Sequence, residues 1–256
     1  MSIEVKNLTF SYGNHRVLNE VSFEAADSEL LAVLGPNGVG KSTLFYCMLA
    51  LQRPEAGVIL LDGKPIHEIA PSQLAHRIAY VPQSHAPTFN YSVLDMVLMG
   101  TTARVGGFSA PGAEEVKAAR GALERVGITH LAARGYLRIS GGERQLTLIA
   151  RALAQQARVI IMDEPTASLD YGNGLRVLSQ VKELAKDGYT VIQSTHNPDH
   201  AFLFADRVLA LNGGRVAAHG APRECLTEDL IKELYGIRVR LRESEDGHTL
   251  CEPVAL

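Results

Sequence analysis

The run Gly35-Pro36-Asn37-Gly38-Val39-Gly40-Lys41-Ser42-Thr43 places three glycines, a lysine and two hydroxyls within nine residues. That set suits a polyphosphate. Several negative charges held out of bulk water need backbone N–H groups pointing inward, and glycine lets the chain approach without a Cβ in the way. Lys41 is expected to reach the β- and γ-phosphates of a nucleotide, Ser42 to ligate Mg²⁺, and the following helix to present its positive N-terminal end. An ordinary glycine-rich turn is the competing reading. The strand-like Leu30–Leu34 before the loop and the helix-like stretch from Thr43 to Leu51 after it argue against that.

Further residues fit the chemistry of such a ligand. Val159-Ile160-Ile161-Met162 reads as a buried strand ending in Asp163-Glu164, and the C-terminal ends of parallel strands are where ligands bind. Asp163 is expected to assist Mg²⁺ and Glu164 to accept a proton from attacking water, though an acidic helix cap is the plain alternative. His196 follows the strand-like Val191–Ser194 and is a candidate for the γ-phosphate, against a turn or cap residue before Asn-Pro. Gln83, ending another strand, is a candidate Mg²⁺ ligand. Ser140-Gly141-Gly142-Glu143 opens a helix-patterned stretch and offers a second anion-binding helix end. Two such ends for one nucleotide make sense if the second serves a nucleotide held by another copy of the chain.

The elements that must position these residues follow from the hydropathy pattern. Strands are expected at 3–9, 17–25, 30–34, 57–61 and 78–83, then helices at 93–99, 113–126 and about 142–157, with a glycine-rich loop near Gly106 and Gly107. Strand and helix then alternate: 158–162, 175–186, 190–194, 198–204 and 207–211, the pattern of a parallel sheet covered by helices. After Asn212-Gly213-Gly214 come 215–218 and helices at 222–226 and 228–235. The fold class is therefore α/β, a nucleotide core split by an inserted helical lobe at about 84–157. Residues 236–256 suggest short strands around Asp246-Gly247 and carry no evident chemistry.

Composition excludes other classes. Among 256 residues, 46% are hydrophobic and 21% charged, and the net charge of −3 gives no reason to expect nucleic acid as a partner. Cys47, Cys225 and Cys251 are widely spaced with no CxxC pair, so neither a disulfide framework nor a zinc site is suggested, which suits a reducing compartment. The start of the chain lacks the charged and apolar regions of a signal peptide, and no run approaches about 18 apolar residues. Any membrane role is expected to come through a partner.

Taken in order, the phosphate loop at Gly35–Thr43, Gln83, Ser140-Gly141-Gly142-Glu143, Asp163-Glu164 and His196 resemble the ATP-binding subunits of ABC transporters over essentially the whole chain. Ser168-Leu169-Asp170 is similar to the family's D-loop, and Tyr12 to the aromatic that stacks on adenine. The resemblance implies a P-loop cassette with a RecA-like core, an N-terminal antiparallel β subdomain and an inserted helical subdomain. On that basis residues 1–235 are expected to form the ATP-binding domain. It further implies ATP and Mg²⁺ as ligands, and a head-to-tail dimer in which Ser140 and Gly142 of one copy contact the γ-phosphate held by the other. The signature departs from the commonest Leu-Ser-Gly-Gly-Gln at Ile139 and Glu143. Phe89–Gly100 and Ser194–Ala201 are similar to importers of iron–siderophore, haem, vitamin B12 and related metal chelates, a group with some molybdate importers. This implies a permease dimer docked near Phe89–Gly100, a solute-binding protein acting indirectly, and a peripheral place on the cytoplasmic face of the membrane. A soluble ATP-driven switch without a permease shares every nucleotide motif and is the alternative.

Overall fold

The computed structural model describes residues 1–83, 89–103 and 110–254. Along the chain it forms β1 (Ile3–Tyr12), β2 (His15–Ala25), β3 (Leu30–Leu34), α1 (Lys41–Met48), β4 (Ala56–Leu61), β5 (Lys64–Pro65), α2 (Pro71–Ala75), β6 (Ile78–Val81) and α3 (Val93–Leu98). Then come α4 (Ala113–Arg125), α5 (Gly141–Ala154), β7 (Val159–Met162), α6 (Tyr171–Lys186), β8 (Thr190–Thr195), α7 (Pro198–Phe204), β9 (Arg207–Asn212), β10 (Arg215–Gly220), α8 (Pro222–Cys225), α9 (Glu228–Tyr235), β11 (Val239–Glu243) and β12 (Thr249–Pro253). The chain divides into two compact units, Met1–Ile69 with Val181–Leu256, and Ala70–Gln180.

In the first unit, β1 and β2 form a hairpin whose turn is made possible by Gly13 at φ 57°. They continue into a four-stranded antiparallel sheet ordered β2-β1-β4-β5. Alternation along β2 puts Leu18, Val21, Phe23 and Ala25 inside and charged residues outside. The run Leu30-Leu31-Ala32-Val33-Leu34 has no polar residue, because β3 is buried on both faces between parallel partners β8 and β9. The β11–β12 hairpin shares the core of this unit. Val239, Leu241 and Cys251 pack with Ala201 of α7, Val208 of β9 and Leu234 of α9.

In the second unit, β6 and β7 pair in parallel, and α3, α4 and α5 pack together. The apolar positions of α5, Leu148, Ile149, Ala152 and Leu153, recur at helical spacing and are all buried. Gln155 ties the end of that helix to β6 by donating to the carbonyls of Ala75 and Ile78.

Several boundaries differ from the hydropathy pattern, each for a local reason. The loop helix starts at Lys41 rather than Thr43, since left-handed Gly40 sets its first turn, and it ends at Met48. Helix α6 starts at Tyr171 rather than Leu175, because Asp170 Oδ1 accepts the Asn173 N–H at 2.9 Å. Helix α5 ends at Ala154, ahead of Gln156 at φ 60°. Ser84, Gly106 and Gly107 lie outside the described residues.

Gly100 sits in the turn after α3, where an added Cβ would overlap the Arg151 carbonyl oxygen of α5. Gly100→Ala is expected to destabilise the protein by about 1–3 kcal/mol through overpacking. A thermal melt checks this, and an unchanged midpoint contradicts the contact.

Candidate functional site

In the first unit, β3 delivers the chain to a loop shaped by its glycines. Gly38 and Gly40 have φ of 80° and 110°, values that side chains rarely adopt, and a Cβ on Gly35 would stand 2.7 Å from the Leu211 carbonyl oxygen. Helix α1 then begins with no side-chain cap and no acidic residue in its first turn. Most helices satisfy those N–H groups with a Ser, Asp or Asn at the cap; here they suit an anion. Lys41 is 5% exposed, and its ammonium donates to the carbonyls of Gly35 (2.8 Å) and Pro36 (3.1 Å), inside the loop. Ser42 follows, half-buried, and Thr43 is buried. Tyr12 ends β1, about half exposed, with its ring edge-on to Phe10 at 4.8 Å. His196 is exposed directly after β8.

The second unit brings the other predicted residues together. Asp163, 5% exposed, continues from β7 and donates its N–H to the Val81 carbonyl at 2.9 Å. Glu164 has φ 42°, a costly backbone conformation for a side chain of this size. Its carboxylate accepts a hydrogen bond from Gln83 Nε2 at 3.2 Å. Glu164 also lines a cavity in this unit, of about 190 Å³, together with Gln83, Tyr136, Arg144, Gln145 and Ser168.

Ser140 and Glu143 cap α5 reciprocally. The Glu143 N–H donates to Ser140 Oγ at 3.3 Å, and the Ser140 N–H donates to the Glu143 carboxylate at 2.7 Å. Those bonds hold the Glu143 carboxyl below its usual range, so this helix end carries a negative charge at neutral pH. Gly141 lies against Leu169 and Ser168, and a Cβ on Gly142 would meet Asn173 at 3.0 Å. Asn173 also donates through Nδ2 to Asp170 at 2.7 Å, which with the backbone bond lowers the Asp170 carboxyl. Sequence reasoning missed Asn173. Its signal was present, as an amide three residues beyond a helix-capping aspartate.

Mg²⁺ takes one or two carboxylates and completes its octahedron with water and phosphate oxygens. The first unit offers the Ser42 hydroxyl and the second the Asp163 carboxylate, donors of that kind. Among the described residues, no group of three or more His, Cys, Asp or Glu could hold a metal by itself.

Residues 18–167 match the family model described as "ABC transporter". This chain belongs to the ABC transporter family. Its mixed α/β architecture, with an antiparallel β sheet and a helical part, is the ABC cassette fold of solved relatives. An uncharacterised ABC transporter ATP-binding protein of Haemophilus influenzae is 40% identical over 92% of this chain and 89% of that protein. The hemin import ATP-binding protein of Nocardia farcinica is 40% identical over 86% of this chain and 76% of that protein. Among solved structures, a putative metal-chelate type ABC transporter in an inward-facing conformation superposes with a TM-score of 0.88. It is 34% identical, with 99% of this chain and 97% of that one covered. ATP-binding subunits of ABC transporters hydrolyse ATP to power transport, so the chain is an ATP-binding subunit with ATPase activity.

Lys41→Met keeps the apolar stem of the side chain and removes the charge. Losing one charge-assisted phosphate contact of about 1.5–3 kcal/mol should weaken ATP binding about 10- to 150-fold. A fluorescent-nucleotide titration reads this, and unchanged affinity would exclude Lys41 from the phosphate site.

Proposed function

We propose that the chain powers uptake of a metal chelate, such as an iron–siderophore, haem or cobalamin, or a related solute, through a separate transmembrane permease. The placing of the phosphates is supported by the uncapped α1 N-terminus with Lys41 folded into its loop. The importer reading rests on a surface feature of the second unit. Phe89, Tyr91 and Leu137 are exposed, the two rings meet edge to face at 6.0 Å, and Asn90 pins the segment by accepting the Leu137 N–H at 3.0 Å. Exposed aromatics on a fixed frame suit a partner helix. No helix among the described residues is long and apolar enough to cross a membrane. The permease would hold the subunit at the cytoplasmic face of the membrane, and a solute-binding protein would supply the cargo.

In this reading Gly35–Thr43 cradle the phosphates, Lys41 neutralises the β- and γ-phosphates, and Tyr12 stacks on adenine. Ser42, Asp163 and Gln83 hold Mg²⁺, which when bound offsets charge on the phosphate oxygens. Glu164 takes the proton from the attacking water and His196 hydrogen-bonds the γ-phosphate. Ser140 and Gly142 of a second copy close over the nucleotide, with Gly141, Glu143 and Asp170 shaping that surface. Gln83 donates to Glu164 through Nε2 and keeps Oε1 for the metal, which would tie the base to the segment that meets the permease.

Glu164→Gln preserves size and hydrogen bonding but cannot take a proton. Hydrolysis should fall about 10²- to 10⁴-fold, while ATP still binds and a stable dimer accumulates on a sizing column. Undiminished turnover would remove Glu164 from the base role. Co-purification of the wild-type chain with a multi-span membrane protein is expected, and recovery with soluble partners alone would overturn the importer reading.

A further inference from the structure

The C-terminal hairpin is joined to the segment that carries His196 by a hydrogen bond spanning 52 residues. The Cys251 N–H of β12 donates to Asp199 Oδ1 at 2.8 Å. Asp199 stands in the first turn of α7, three residues past His196. Its own N–H donates to the Asn197 side-chain oxygen at 2.9 Å, and the Asn197 N–H donates to Thr195 Oγ1 at 3.1 Å. His200 Nδ1 lies 3.4 Å from the same hydroxyl. Each turn of the chain from β8 into α7 is thus held by a neighbour, and the outermost hold comes from the hairpin.

The hairpin is itself well fixed. Val239 is buried, and Leu241 and Cys251 pack on the core that holds Ala201 of α7. The Leu241 N–H donates to Glu228 of α9 at 2.8 Å, and the Val254 N–H donates to the Arg238 carbonyl at 3.0 Å. Arg223 pairs with Glu243 at 3.2 Å and also donates to the Gly247 carbonyl in the hairpin turn.

We propose that the β11–β12 hairpin is a brace for the γ-phosphate histidine, with Asp199 as the positioning residue through which it acts. The proposal rests on the role given to His196 above. An exposed imidazole at a strand end has many rotamers and a movable backbone; fixing the backbone on both sides confines it. A shift of about 1 Å at a reacting centre can cost about 10²-fold in rate, so a remote hold of this kind shows in turnover.

The test uses the full-length chain and compares Asp199→Ala, Asp199→Asn, His196→Ala and the Asp199→Ala/His196→Ala double variant, with melting temperatures measured alongside. If the brace acts through His196, Asp199→Ala lowers kcat about tenfold with KM for ATP within about twofold, the pattern of an interaction made in the transition state. Asp199→Asn, which keeps the acceptor oxygen, should restore kcat to within about twofold of the parent. In the His196→Ala background the Asp199→Ala change should add nothing, because the group it positions is gone. Unaltered kcat in Asp199→Ala, or equal losses with and without His196, overturns the brace. Wild-type turnover in His196→Ala alone would instead overturn the role of His196.

Discussion

A polyphosphate is a concentrated negative charge, and a protein that binds it must replace lost hydration with donors already fixed in place. That constraint governs the first unit. Gly38 and Gly40 adopt conformations closed to most residues, α1 begins without a cap, and Lys41 is folded inward onto the Gly35 and Pro36 carbonyls. A buried β3 behind the loop supplies the rigid support. A loop that had to be organised at binding would lose affinity to ordering entropy.

The second unit holds the residues proposed to act on that phosphate from the base side and from a second copy. Glu164, the proposed base, sits on a strained backbone and its carboxylate accepts a hydrogen bond from Gln83. The α5 end carries the Glu143 carboxylate beside Ser140 and Gly142. In the proposed dimer a negative charge there would oppose the incoming γ-phosphate, and closure would depend on the sum of several contacts rather than on one.

Legibility of the sequence followed the range of the interactions. Helices α7 and α9 begin at Pro198 and Glu228 as the pattern predicts, because Asn197 and Thr227 cap them locally. Strand β3 was legible because five apolar residues in a row have few other fates. The start of α1 was not, since left-handed Gly40 overrides hydropathy there, nor was that of α6, where Asp170 extends the helix. In the tail, the short strands around Asp246-Gly247 were legible, but the bond from Cys251 to Asp199 joins residues far apart in sequence, which periodicity cannot reveal. The candidate residues were legible by type and order. The positive φ of Glu164 and the contact of Asn173 with Gly142 needed coordinates.

The central claim is that each nucleotide site is shared, with the phosphate loop from one copy and the signature from another. Mixing two inactive proteins tests it most directly: Lys41→Met, which lacks a working loop, and Gly142→Asp, which lacks a working signature. The mixed dimer would hold one intact site, the loop of the second variant facing the signature of the first. The account predicts that ATP hydrolysis returns on mixing and rises with the fraction of mixed dimer. A mixture as inactive as its components would contradict it.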